Sequence, residues 1–276
     1  MHLLLAAASG WGKGYLAQAL IDRNIRTDRF DRVVMLDTAN EFRGLCSEEH
    51  GPAPADHWAV TDREAATLGP PEWREMVRQN DALVLQRAVP KGEEWREAAA
   101  DIILGCRRAD LDVLVVIDEG HGIAPQSEGY PKPVNDLATD GRSEGGSATS
   151  SAWLTQRPAQ TDKDVVGNCT ARFIGGFETS NDLGALADVL PYPKKMHASG
   201  GQPVGGNPSE ELRTDDSEAI SVRKWTEPDD SGEPQTVNSE WVFSDDTGKI
   251  ARKQSNEYRQ RCDHVGAAGK RIDVGV

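Results

Sequence analysis

Short apolar runs alternate with helix-period stretches along the first 190 residues, the pattern of an α/β sheet flanked by helices. Strands are expected at His2 to Ala6, Arg32 to Asp37, Ala82 to Gln86, Asp112 to Asp118, Ala152 to Thr155 and Ala171 to Gly175. Several are apolar throughout, as parallel strands covered on both faces should be. Helices fall between them. Tyr15 to Asp22 follows the first turn, and Glu93 to Arg108 sets Trp95, Ala98, Ala99, Ile102 and Ile103 on one stripe with arginines at its end. Trp95 therefore reads as core. From His197 to about Glu240 the chain turns to Gly, Pro, Ser and acids, with Gly200-Gly201, Gly205-Gly206 and Asp229-Asp230 marking a flexible linker or insertion. Beyond it, Trp241 to Ser244 and Lys249 to Lys253 flank Asp245-Asp246-Thr247-Gly248, a turn sequence suited to a β-hairpin. The expected organisation is a core over 1–196, a linker over 197–240, and a hairpin with a basic tail over 241–276.

Charge narrows the partners. With 276 residues the chain can bury a sizeable core. Its 45 acids against 31 lysines and arginines give a net charge of -14, so no global positive field attracts nucleic acid and any DNA contact must be local. The tail is the one basic stretch, with Lys249, Arg252, Lys253, Arg259, Arg261, Lys270 and Arg271 able to grip a phosphate backbone or simply to be solvated. Of the 31 cations 21 are Arg and 10 are Lys, a composition that fits both a halophilic source and an ordinary acidic cytosolic protein. Cys46, Cys106, Cys169 and Cys262 form no CxxC pair, which argues against a zinc knuckle or a disulfide framework and for a reducing compartment. No apolar run approaches the ~18 residues of a membrane span, and Met1 to Ala8 is too short and uncharged for a signal peptide. A cytoplasmic protein without stable membrane insertion is expected.

Candidate chemistry begins at the first turn. Leu3 to Tyr15 passes from an apolar strand through Ala7-Ala8-Ser9-Gly10-Trp11-Gly12-Lys13-Gly14 into an apolar helix, the context of a phosphate-binding loop. Small residues let successive amides of Ser9, Gly10, Trp11, Gly12, Lys13, Gly14 and Tyr15 wrap the phosphates of ATP, the helix adds its positive dipole end, and Lys13 reaches the β and γ oxygens. Two positions depart from G-x-x-x-x-G-K-[ST]. Ala7 stands at the first Gly, and Gly14 replaces the hydroxyl residue that helps hold Mg²⁺, a role left to Ser9 or a water. Asp112 to Glu119 reads as a buried strand ending in two acids, a Walker B pattern. Asp118 would hold Mg²⁺ and Glu119 would orient the attacking water.

A third strand ends in Thr155-Gln156-Arg157-Pro158, after Asp140-Gly141-Arg142. Together with Asp118-Glu119-Gly120-His121, the Val33 to Phe42 segment, Asp164 to Cys169 and Thr179 to Leu183, this resembles the FtsK–HerA superfamily of DNA-pumping ATPases over about residues 1 to 190. The resemblance implies a RecA-like P-loop core with a mainly parallel central sheet. It implies that Thr155 and Gln156 sense the γ-phosphate, that Arg142, or else Arg157, acts as an arginine finger across a subunit boundary, and that His121 relays nucleotide state or merely packs. It also implies a homo-oligomer, usually a hexameric ring, that threads double-stranded DNA. At 276 residues the chain is expected to lack the N-terminal barrel of HerA-type helicases and the membrane segments and winged helix of FtsK-type motors. The expected likeness is thus to genome-packaging ATPases of tailless icosahedral viruses with internal membranes, acting in the host cytoplasm or on the virion beside a capsid vertex or portal. A HerA-like helicase or conjugation motor is the rival within the enzyme class. A non-hydrolysing nucleotide-binding virion protein is the rival outside it, motivated by Gly14.

Overall fold

The computed structural model describes residues 1–49, 52–140, 147–206, 208–214, 218–228 and 234–262. In chain order its elements are β1 (His2–Ala6), α1 (Lys13–Arg26), β2 (Arg32–Asp37), β3 (Asp56–Val60), α2 (Asp62–Thr67), α3 (Pro70–Gln79), β4 (Ala82–Arg87), α4 (Glu93–Arg107) and β5 (Val113–Ile117). There follow α5 (Gly120–Ile123), α6 (Lys132–Thr139), β6 (Thr149–Thr155), α7 (Lys163–Asn168), β7 (Ala171–Ile174), α8 (Ser180–Leu186), β8 (Lys224–Pro228), β9 (Pro234–Asp245) and β10 (Ile250–Gln254).

The strands form a ten-stranded sheet in the order β10-β9-β7-β1-β6-β5-β2-β4-β3, with β8 paired to β9 off that path. Strands β1 to β7 are mutually parallel, and β9 joins β7 antiparallel. Alternate side chains divide between two cores. Leu4, Val34, Leu36, Val115 and Ile117 face a cluster built with Trp73 of α3, Trp95, Ala99, Ile102 and Ile103 of α4, Leu137 of α6 and Val165 of α7. Leu5, Val33, Met35, Val116 and Leu154 face the opposite cluster with Leu16, Ala17 and Ile21 of α1. Both faces are covered, which explains why these strands read as unbroken apolar runs.

Strand β3 and helices α2 and α3 were not expected. Strand β3 is the sheet's edge, with Asp56, His57 and Trp58 exposed, so neither the alternating nor the fully apolar pattern marks it. Helix α2 is closed by a capping box between Thr61 and Glu64, and α3 starts on Pro70-Pro71, where proline's missing N–H costs nothing.

The expected linker is largely packed against the core. Val204, Leu212 and Val222 are buried in the α1-side cluster, and β9 begins at Pro234, well ahead of the expected hairpin. Asp229 and Asp230 lie outside the described residues. The hairpin itself forms as the turn sequence indicates: Asp245 Oδ1 accepts N–H groups from Thr247 and Lys249, Gly248 takes a left-handed φ of 85°, and β10 returns antiparallel to β9.

Arg252 is a correction to the basic-tail reading. Its guanidinium donates to the carbonyls of Leu212, Ile220 and Ser221 and to the carboxylate of Glu240, and is nearly buried. Arg223 closes the same carboxylate from its other side at 2.9 Å. Arg259 and Arg261 are exposed, and Lys270 and Arg271 lie outside the described residues. Burial pushes the Glu240 carboxyl up, but the hydrogen bonds from Arg223 and Arg252 outweigh it and hold the group below the usual carboxylate range. Its stabilisation is therefore present above the ordinary Glu value and lost as pH falls through the depressed one. Glu240→Gln should lower stability by about 3 kcal/mol at pH 7, since it strands buried guanidinium charge, and the gap to wild type should narrow in strong acid. Urea unfolding at pH 7 and near pH 3 checks both; an equal gap at the two values would contradict the pairing.

Candidate functional site

Parallel strands end on one edge of a sheet, so residues following β1, β2, β5 and β6 are brought together there. The loop after β1 is anchored on both sides: Ala7 N–H donates to the Thr155 carbonyl and Ala8 N–H to the Gly176 carbonyl. Gly10 and Gly12 then take φ values of 70° and 81°, a left-handed turn suited to glycine. Gly12 caps α1, and the first amides of a helix have no partner within it, so the N–H groups through Gly14 can serve an anion.

Lys13 is 9% exposed and extends along this edge. Its Nζ lies 3.8 Å from Asp118 Oδ1 and 3.9 Å from Glu119 Oε1. Strand β6 separates the strand of the loop from the strand of the two acids, and its tip delivers Gln156, whose Nε2 donates to Glu119 Oε2 at 3.4 Å. Lys13, Asp118, Glu119 and Gln156 therefore meet. Glu119 takes φ 50° and ψ 51°, a left-handed conformation that costs a non-glycine residue on the order of 1 kcal/mol, and the turn it makes aims its carboxylate at Lys13.

Carboxylates dominate the electrostatics. Asp118 Oδ2 accepts the Ala39 N–H, and burial raises its carboxyl above the usual range against the pull of Lys13. Asp37, at the tip of β2, accepts the Glu41 and Phe42 N–H groups, yet burial and the neighbouring Asp118 push it to about 7. Glu41 is raised as well, by burial first and then by Asp118. This excess of buried negative charge around one lysine suits a divalent cation. Among the described residues no group of three or more His, Cys, Asp or Glu side chains could enclose a metal, so Mg²⁺ beside Asp118 would rely on phosphate oxygens and water, as it commonly does. Gly14 supplies no hydroxyl, and the exposed Ser9 hydroxyl makes no hydrogen bond to a described residue.

The remaining expected residues divide. Thr155 is fully buried and spends its hydroxyl on the Arg157 N–H and on Thr161, so it closes the strand-end turn, and Gln156 alone faces the acids. Arg157 is exposed at that turn. His121 Nδ1 lies 3.1 Å from Glu119 Oε2 without a hydrogen bond, and burial with the nearby Lys91, Arg157 and Lys13 lowers its imidazole to about 4, so it is neutral. Arg142 lies outside the described residues. Trp11 and Tyr15 offer only their amides. The Trp11 ring is buried and its Nε1 donates to the Glu240 carbonyl, while the Tyr15 hydroxyl donates to the Tyr258 carbonyl. A β-carbon on Gly175 or Gly176 would lie 2.4 or 2.3 Å from the Trp11 ring, so those glycines are seats for it.

Two contributors lie outside the expected site residues. Glu41 belongs to the Val33 to Phe42 segment that carries the family resemblance, but its proximity to Asp118 and Lys13 depends on the fold. The Thr236 end of β9 carries no signal: its hydroxyl donates to the Gly10 carbonyl across 226 residues of chain.

The mostly parallel sheet and its flanking helices make a mixed α/β fold that matches solved P-loop NTPases. The chain is similar in structure to the genome packaging NTPase B204 from Sulfolobus turreted icosahedral virus 2 in complex with ATP-gammaS, with a TM-score of 0.53 and 9% identity over 91% of this chain and 95% of that one. With AMPPCP bound, that NTPase gives 0.54 and 10% over the same shares. The DNA-packaging ATPase B204 from Sulfolobus Turreted Icosahedral Virus gives 0.53 and 11%, again over 91% and 95%. At these identities the likeness is one of fold. No family model and no curated protein matches the sequence. No helix among the described residues is long and apolar enough to cross a membrane.

Proposed function

We propose that this protein is an ATPase that couples hydrolysis to movement of double-stranded DNA, in genome packaging, as a ring of identical subunits. The observation that carries the reading is the meeting of Lys13, Asp118, Glu119 and Gln156 beside the open amides of the Gly10 to Gly14 turn. Those amides and Lys13 bind the phosphate chain of ATP. Asp118 holds Mg²⁺, which when bound neutralises charge on the phosphates. Glu119 accepts a hydrogen bond from the attacking water and aligns it on the γ-phosphorus, while Gln156 fixes the Glu119 carboxylate and reports on the γ-phosphate. Arg142, or the exposed Arg157, completes the site of a neighbouring subunit. The acidic surface keeps DNA contacts local, and the exposed Arg259 and Arg261 supply two. The fold shared with viral packaging NTPases supports the role in packaging.

Phosphate release with Mg²⁺, in the presence and absence of double-stranded DNA, tests the proposal. Turnover stimulated by DNA and abolished by Lys13→Ala is expected. Gly14 favours a second reading, a nucleotide-binding virion component that does not hydrolyse. Tight ATPγS binding with no phosphate release under any of these conditions would select it.

A further inference from the structure

The hairpin of β8 and β9 lies along the phosphate loop. Thr236 of β9 holds the Gly10 carbonyl at 2.7 Å, and Ser239 Oγ stands 3.5 Å from where a β-carbon on Gly12 would be. Lys224 is directly opposite Ser239 in register, so its side chain shares the face turned to the loop. Its Nζ stands 3.8 Å from the β-carbon position of Gly10 and 5.6 Å from the centroid of the Trp11 ring. Trp11 is itself fixed by the Glu240 carbonyl and the two glycines beneath it, so the ring is a rigid platform for the ammonium.

Lys224 is exposed and forms no ion pair with a described residue, in a chain where acids outnumber bases by 45 to 31. Lys13, by contrast, already has Asp118 and Glu119 as neighbours. Surface salt bridges are worth little, but a lysine poised on an aromatic ring beside a turn of open amides has an obvious anionic counterpart in what those amides bind. Resting on the nucleotide reading above, we propose that Lys224 is a second phosphate-binding cation, reaching the phosphate chain of a nucleoside triphosphate from the hairpin side while Lys13 reaches it from the helix side. Among the described strands β8 pairs with β9 alone, so nucleotide bound to Lys224 would add a second hold on the β8 end of the hairpin.

Calorimetric titration of ATPγS, ADP and AMP into wild type, Lys224→Ala, Lys224→Arg and Lys13→Ala tests this. Lys224→Ala should weaken ATPγS binding about tenfold, the scale of one charge-assisted contact, with a smaller loss for ADP and little for AMP. Lys224→Arg should restore most of it, and unfolding without nucleotide should change only by the small contribution of an exposed cation–π contact. An ATPγS affinity within twofold of wild type in Lys224→Ala would overturn the inference alone, as would equal losses for AMP and ATPγS, which would mark an indirect effect on the loop. A wild type that binds no ATPγS, like Lys13→Ala, would overturn the nucleotide reading and this inference with it.

Discussion

Glu119→Gln should bind ATP at least as tightly as wild type and lose turnover by about 10³-fold, within the range that positioned general bases contribute. Binding survives because the amides of the Gly10 to Gly14 turn and the Lys13 ammonium are untouched, and removing one carboxylate near Lys13 lowers the negative charge that a triphosphate must approach. The amide keeps the shape of the acid and the reach toward Gln156 Nε2, 3.4 Å away in the wild type. It lacks the basic oxygen that polarises water. Steady-state phosphate release measured beside ATPγS calorimetry separates the two effects. Retained hydrolysis would remove Glu119 from its role, and joint loss of binding and turnover would assign it to loop architecture.

Trp11→Ala carries the largest expected cost in stability, about 3 to 5 kcal/mol. The ring is 2% exposed and lies against Gly175 and Gly176, so truncation leaves a cavity that two side-chain-free residues cannot fill. It also removes the donor from the buried Glu240 carbonyl. Since Trp11 lies between Gly10 and Gly12, whose left-handed angles shape the proposed phosphate-binding turn, ATPγS affinity should fall together with stability. Trp11→Phe should recover most of the packing and not the hydrogen bond, and so lie between. Urea midpoints and ATPγS titrations on both variants decide; a loss below about 1 kcal/mol for Trp11→Ala would show that the loop does not depend on this anchor.

The central sheet was legible because β1, β2, β4 and β5 are covered on both faces and so are apolar at successive positions. The loop and the paired acids were legible for a local reason: each is a contiguous run at a strand's end. Edge strand β3 was hidden because its exposed Asp56, His57 and Trp58 follow no burial period. The composition of the 197–240 stretch, set by glycine, proline and acids, points to a linker, whereas its structure depends on distant partners. Val204 and Val222 pack against the face that carries α1, and Thr236 bonds Gly10. Arg252 looked available to a phosphate backbone, yet Glu240 sits across the β9–β10 pair from it and Leu212, Ile220 and Ser221 offer it carbonyls. Charge in a sequence says nothing about which acid waits on the next strand. Thr155 and Gln156 are adjacent in sequence and diverge in use, since strand alternation sends one side chain into the turn and the other toward Glu119.

A crystal structure with Mg²⁺ and ATPγS is the most direct measurement of the proposed nucleotide site. The triphosphate should lie against the amides of Gly10 to Gly14 with Lys13 on its terminal phosphates, the metal beside Asp118 and a water between Glu119 and the γ-phosphorus. Nucleotide bound elsewhere, or bound at the loop with Asp118 and Glu119 turned away from its γ-phosphate, would contradict it.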